Sequence, residues 1–277
     1  MTTFAFLAVL FAALMHASWN ALIKLDAGRA TAMMILSLVQ GLLGVLVAIT
    51  RPLPQGEVWF WLLASGFIHA AYQTFLLFAY KHGDLSRVYP IARGVAPGLV
   101  AIVGALVLSD HLSLQEVIGI STLGLGILLM TRGIFTNGES RRMLPFALGS
   151  AMATASYTLV DGMGARISGD PVTYVAWMFI LSGLIFSTAG IAKDPRILRA
   201  NRRSWAFGGL AAALSYGAYG ISVWAMTIAP IALVSALRET SILFAVLMGW
   251  LLFSERMDRT KAVAAGLIVA GVILTRV

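Results

Sequence analysis

Ten apolar runs, each close to the length of a bilayer crossing, are separated by short breaks of charge, glycine and proline, at 4–23, 30–49, 58–79, 88–108, 115–131, 144–162, 172–192, 205–228, 231–253 and 260–275. A helix that spans the hydrocarbon core uses about 20 apolar residues, and lipid leaves no partner for an open strand edge. The runs show no two-residue alternation, which disfavours a β-barrel and predicts an all-α integral membrane protein of ten transmembrane helices. Only 12% of the 277 residues are charged and 59% are hydrophobic, against about 25% charged in soluble domains. Too little polar sequence remains to cover a water-facing surface.

The formal net charge of +8 does not point to nucleic acid. Apart from Arg93 and Arg238, 16 of the 18 other cations lie in or beside the breaks between runs, as loop cations of membrane proteins do. The absence of cysteine removes disulfides, iron–sulfur centres, thiolate zinc sites and cysteine nucleophiles together. The opening stretch "MTTFAFLAVLFAALMHASWNALIK" has no basic residue before Lys24, so it reads as a retained first span rather than a signal peptide. The glycines from Gly119 through Gly126 and from Gly266 through Gly271 sit inside apolar runs with no K-[ST] after them, and are read as helix-packing seams rather than phosphate cradles.

The sequence repeats itself. A shift of 138 residues lays "ASYT" (155–158) on "ASWN" (17–20), and a shift of 145 lays Arg238 on Arg93 and "SER" (254–256) on "SDH" (109–111). The change of shift falls in one loop, "KDPRILRANRRS" against "RPLPQGE". The halves are therefore 1–134 and 143–277, divided by the polar stretch "RGIFTNGESRR". Five spans per half is an odd number, so the second half enters the membrane from the opposite side. The expectation is two inverted five-helix repeats about a pseudo-two-fold axis in the membrane plane, an arrangement used by secondary transporters.

The motifs that carry a resemblance are "ASWNALIK" ending span 1, "FAYKHGDLSRVYPIARGVAP" joining spans 3 and 4, and an acidic residue after spans 4 and 9, Asp110 in "LSDHLSLQEVIGI" and Glu255 in "LFSERMDRTKAVAAG". In this order and duplication the chain resembles the drug/metabolite transporter superfamily in its ten-helix form with two EamA-type repeats. The resemblance covers nearly the whole chain and implies efflux or exchange of a solute without ATP, in a multi-pass protein of the bacterial cytoplasmic membrane. The sequence independently carries no Walker-type phosphate loop.

Ionisable groups at bilayer depth are costly unless paired or hydrated, and so mark a pathway or a site. Arg93, in "YPIARGVAP", and Arg238, in "SALRETS", are repeat equivalents. Facing one chamber, they would hold a carboxylate, phosphonate or phosphate through bidentate hydrogen bonds. The other reading has each guanidinium snorkelling to an interface or held by Glu239, Asp161 or a carbonyl. Pro90 and Pro97 predict a bend in span 4. His16, Asn20 and Lys24 form a stripe on span 1 with Trp19 adjacent; Ser150, Thr154, Tyr157 and Asp161 form its equivalent on span 6. His69, Tyr72 and Gln73 share a face of span 3, and Tyr216 and Tyr219 a face of span 8. Arg93, Arg238, Trp19, Asn20, Tyr72, Tyr89, Tyr157, Tyr216 and Tyr219 are the candidate solute ligands. Asp161, Glu239, His16 and His69 are the candidates for coupling to a proton, and Asp161 also reads as a charge at a helix end.

The expected activity is alternating-access transport of a small organic anion or zwitterion, such as an amino acid, carboxylate or phosphonate, by a monomer or homodimer, with a proton or counter-substrate as partner. The resemblance of "ALRETS" to relatives associated with phosphonate use points the same way. Export of an amphipathic cation or drug is the alternative. A membrane phosphotransferase is the third reading, because "DGMGAR" (161–166) matches the opening D-G-x-x-A-R of the CDP-alcohol phosphotransferases, but Val175, Phe179 and Gly183 stand where that pattern continues with Gly, Asp and Asp. Four scattered histidines and no cysteine predict no metal site, and no cofactor motif is present. Connections 1–2, 3–4, 5–6, 7–8 and 9–10 carry 15 Lys and Arg, and the opposite side only Arg51, Arg166 and Arg276. That count places both termini outside, whereas the resemblance implies cytoplasmic termini.

Overall fold

The computed structural model describes residues 1–25, 28–82, 93–94, 96–108, 110–130, 141–253 and 259–276. These fold into α1 (Thr3–Leu25), α2 (Arg29–Ala48), α3 (Val58–His82), α4 (Ala96–Val107), α5 (Leu114–Met130), α6 (Leu144–Ser168), α7 (Pro171–Lys193), α8 (Arg202–Ile228), α9 (Ile231–Arg238), α10 (Ser241–Phe253) and α11 (Arg259–Leu274). No strand occurs among the described residues. Six spans among them are long and apolar enough to cross a membrane, and one, Ile231–Leu251, covers α9 and most of α10. Among the described residues the protein is an all-α membrane protein. The first part of span 4, with Pro90, lies outside the described residues.

Two boundaries differ from the sequence expectation. Helix α6 runs on past Asp161 to Ser168, because the polar residues that suggested its end are satisfied inside the protein: Asp161 has no exposed surface, and Arg166 Nε donates to the Met226 carbonyl 2.8 Å away. That carbonyl lies in the last turn of α8 and has no helical partner of its own. The ninth span is interrupted at Glu239 and Thr240, where amide-to-carbonyl bonds to Ala236 and Leu237 tighten the backbone into a turn of three-residue spacing.

Several helix ends follow from local sequence. Ser113 and Glu116 exchange hydrogen bonds between side chain and amide at the start of α5, a capping box. Asp170 accepts from the Val172 and Thr173 amides, with Pro171 as the first helical residue of α7. Asn201 Oδ1 accepts from the Ser204 amide at the start of α8. Gly169, at φ +67°, makes the corner between α6 and α7.

The chain divides into two compact units, and they do not follow the two repeats. The first contains Met1–Ala70 and Val160–Ile228, in which α1 packs on α8, and α2 on α7 and α8. On α1, Phe4, Leu7, Phe11 and Leu14 form an exposed bulky face that suits lipid, while Ala5, Val9, Ala12, Ala13 and Ala17 form a buried face of small residues. Small side chains let helix backbones approach, and that contact, not exclusion from water, holds helices together in a bilayer.

The second unit contains Ala71–Leu159 and Ala229–Val277; α5 packs on α11 and α4 on α9. Leu123, Ile127, Ile242 and Ile268 form one of its cores. A Cβ on Gly119 would stand 2.9 Å from the Gly271 carbonyl oxygen, one on Gly271 2.7 Å from that of Gly119, and one on Gly126 2.9 Å from that of Ala264. The 145-residue shift maps Gly119 on Ala264 and Gly126 on Gly271. Residue i thus meets the mate of j while j meets the mate of i, the signature of a two-fold contact. The α5–α11 seam is where this symmetry is written in the packing.

Candidate functional site

Each unit buries one charged constellation. In the second unit, Arg93 lies just ahead of α4 and Glu239 in the turn between α9 and α10. Arg93 Nε donates to Glu239 Oε2 at 3.1 Å and Arg93 Nη2 to Oε1 at 2.7 Å, with both side chains almost wholly buried. This is a two-point guanidinium–carboxylate pair, whose paired geometry offsets the desolvation of two charges. Arg238, also buried, lies within Coulombic reach of the same carboxylate. The turn after α9 explains the arrangement: it sends Glu239 to Arg93, not to its own neighbour in sequence. The structure therefore places Arg93 in the reading where Glu239 holds it, rather than as an open guanidinium.

In the first unit, Asp161 is the centre. Its Oδ1 accepts from the Tyr174 hydroxyl at 3.1 Å; its Oδ2 accepts from the Tyr219 hydroxyl and lies 2.9 Å from His69 Nε2. All four side chains are buried, and the His69 ring stands edge-on to Tyr219 with centroids 5.4 Å apart. The reading of Asp161 as a helix-end charge is corrected here: it is an interior carboxylate inside α6, enclosed by groups from α3, α7 and α8. Three donors around one carboxylate make its burial tolerable. Tyr174 was not singled out from sequence. It is one tyrosine in an apolar span, and only the Gly169 corner brings it back over α6.

Glycine is required at one place here. A Cβ on Gly164 would stand 2.5 Å from both Cε2 and the hydroxyl oxygen of Tyr174, so the phenol lies in the space that a missing side chain leaves. Gly164 follows Asp161 by three residues and so shares its face of α6.

The other expected residues fall as follows. Trp19 is in a hydrophobic core with Ile23, Leu36 and Ala211, and its indole Nε1 donates to His16 Nδ1 at 3.2 Å. Asn20 Nδ2 donates to the His16 carbonyl at 2.8 Å. These contacts make the span 1 stripe part of the packing of its own unit. Tyr72 and Tyr157 stand edge-to-face with centroids 5.5 Å apart in the second unit. Tyr216 stacks on Phe179 at 4.8 Å, and Phe179 meets Tyr219 edge-on at 5.9 Å, so the two tyrosines do share a face. The Tyr216 hydroxyl is buried with no hydrogen-bond partner among the described residues. Tyr89 and Glu255 lie outside the described residues. Asp110 accepts from the Ile231 amide at 2.9 Å, so this acidic residue after span 4 caps the start of α9.

The "DGMGAR" match to phosphotransferases places its Asp161 among these three donors, in mid-helix. Among the described residues no group of three or more His, Cys, Asp or Glu is arranged to hold a metal.

Residues 141–277 match the EamA-like transporter family. No curated protein matches the chain. A crystal structure of another protein aligns over 100% of this chain and 97% of its own, with a TM-score of 0.77 at 16% identity, a likeness that carries the fold alone. With spans apolar enough for a bilayer, the family match shows that the chain carries, over residues 141–277, an EamA-like transporter family domain, and that family belongs to the drug/metabolite transporter superfamily.

Proposed function

We propose that the protein is a secondary transporter that moves a small organic anion or zwitterion by alternating access, in a bacterial cytoplasmic membrane. The observation that carries this reading is the pair of repeat-equivalent arginines, Arg93 and Arg238, both buried and both close to one carboxylate, Glu239. Two guanidiniums and one carboxylate are a poor way to fill a membrane interior for stability alone, since apolar residues of similar volume do as well or better. They suit a site where an anionic group binds. Glu239 then acts as the internal stand-in: it occupies Arg93 when solute is absent and yields it when solute arrives. Carboxylates, amino acids and phosphonates all present the planar or tetrahedral oxygen groups that guanidiniums recognise.

The aromatic group Phe179, Tyr216 and Tyr219 favours a second reading, export of an amphipathic cation held by ring faces. A thermal-shift screen with succinate, glutamate, methylphosphonate and tetraphenylphosphonium separates the two. A ligand at about 100 times its Kd adds about 2.7 kcal/mol to stability. The anion reading expects a raised Tm with at least one of the first three that disappears in Arg238→Gln. A shift with tetraphenylphosphonium alone, retained in Arg238→Gln, overturns it.

A further inference from the structure

One pocket of the first unit lies at a membrane surface. The connection from α2 to α3 and the corner from α6 to α7 each join two spans, so they sit where hydrocarbon gives way to lipid headgroups. Both contribute to a cavity of about 340 Å³, lined by Pro52, Leu53 and Pro54 from the connection and by Ile167, Asp170 and Thr173 from the corner, among others. Local bonds hold these walls in place. Trp59 Nε1 donates to the Pro54 carbonyl at 2.8 Å, and its ring meets Trp177 edge-on with centroids 5.0 Å apart, an aromatic anchor of the kind enriched at headgroup depth. Across the cavity, the Asp170 carboxylate accepts from the Val172 and Thr173 amides and from the Thr173 hydroxyl.

Charge and polarity around the cavity match one class of ligand. Of the about four lone-pair sites on the Asp170 carboxylate, those three bonds leave one. Arg51, adjacent to the lining residue Pro52, takes it with Nη1 at 3.4 Å from Oδ2. That contact is long, and the two side chains are 44% and 32% exposed, so the pair opens at little cost. A ligand carrying an ammonium and a phosphate can replace it charge for charge. The rim is apolar: Leu53 and Ile167 line the cavity yet are 66% and 37% exposed, which suits a ligand whose other end is hydrocarbon. We propose that this cavity binds the headgroup of a phosphatidylethanolamine lipid, its ammonium on Asp170, its phosphate on Arg51 and its glycerol end leaving over Leu53 and Ile167. A choline headgroup has the same two charges but no N–H to donate to Asp170. A phosphoglycerol headgroup has no cation at all and brings its negative charge up to the carboxylate.

Native mass spectrometry of the full chain in detergent, titrated with dioleoyl-phosphatidylethanolamine or dioleoyl-phosphatidylcholine, tests this. The chains are identical, so only the headgroup nitrogen differs. Wild type is expected to hold the ethanolamine lipid about tenfold more tightly, the worth of a hydrogen bond between charged groups. Asp170→Asn removes the charge but keeps the cap of α7, since asparagine caps as well as aspartate. It should bring the two lipids to within about twofold of each other. Arg51→Gln leaves the cap untouched and decides the matter if Asp170→Asn does not fold: it should weaken both lipids, because both carry the phosphate. Equal binding of the two lipids by wild type, a preference that survives Asp170→Asn, or affinities unchanged in Arg51→Gln overturns the proposal. Soluble glycerophosphoethanolamine bound as tightly as the lipid also overturns it, since the apolar rim then contributes nothing. Solute flux enters none of these outcomes, so this inference and the anion reading stand or fall separately.

Discussion

Arg93 and Glu239 stand 146 residues apart in sequence and meet in a buried pair with two hydrogen bonds, each contributed by a different repeat. Removing Glu239 strands Arg93 as a buried charge, whereas removing both takes that pair away and leaves Arg238 as the buried charge beside it. Glu239→Gln is therefore expected to destabilise the protein by about 3–5 kcal/mol. Arg93→Met combined with Glu239→Met should recover part of that loss, the remainder being the cost of Arg238 without its neighbouring carboxylate. Thermal unfolding of the two variants in one detergent checks the difference.

Gly164 offers a test by sign. Alanine is the better helix former by about 1 kcal/mol, so Gly164→Ala would stabilise α6 if the space were free. The Tyr174 phenol occupies that space, and the new Cβ must push it away from Asp161. The expected outcome is a loss of about 1–3 kcal/mol, as for other overpacked interiors. A raised Tm contradicts the placement of Tyr174.

The two-fold seam predicts a contrast within one helix. A Cβ at Gly119 meets backbone of α11 within 3 Å, whereas one at Gly124 meets nothing within 4 Å. Gly119→Ala is expected to lower Tm, and Gly124→Ala to leave it unchanged or raise it slightly. Equal effects of the two substitutions would remove the seam from the account.

Asp170 gives a pH dependence. Burial by itself raises its carboxyl, but hydrogen bonds from Thr173 and Val172 and the charge of Arg51 outweigh burial and hold it below its ordinary 3.8. A carboxyl lowered by folding contributes stability above 3.8, and that contribution is lost as pH falls through the lower, folded value. Asp170→Ala removes the cap of α7 and should cost about 1 kcal/mol at neutral pH. The gap in Tm between wild type and Asp170→Ala should narrow in acid; a gap that widens there contradicts the sign.

The sequence was most legible where apolar length and repetition decide structure. The all-helical membrane architecture followed from the rule that lipid cannot solvate polar backbone, and the glycines of the apolar runs announced the seam at Gly119, Gly126 and Gly271. Partners were not legible. Spacing places Glu239 beside Arg238, but the turn after α9 that delivers it to Arg93 contains no proline or glycine to announce it. Asp161 read both as a coupling candidate and as an end charge, because composition counts polar residues without knowing which are satisfied. Trp19 looked like a pocket wall because an aromatic residue at a helix end has the same sequence signature whether it lines a chamber or fills a core. Tyr174 carried no signal at all, since its contact with Asp161 depends on the Gly169 corner.

The central claim is that the duplicated arginines bind a travelling anion. Proteoliposomes containing the wild-type protein or Arg238→Gln, loaded with unlabelled succinate, glutamate or methylphosphonate and diluted into the same solute carrying label, measure it most directly. The account predicts that label of at least one of these anions accumulates chemically unchanged in wild-type vesicles. In Arg238→Gln that influx should fall about a hundredfold, the effect of losing about 2.7 kcal/mol at a buried charged contact. Labelled tetraphenylphosphonium crossing equally in both proteins, with no influx of any of the three anions, would contradict it.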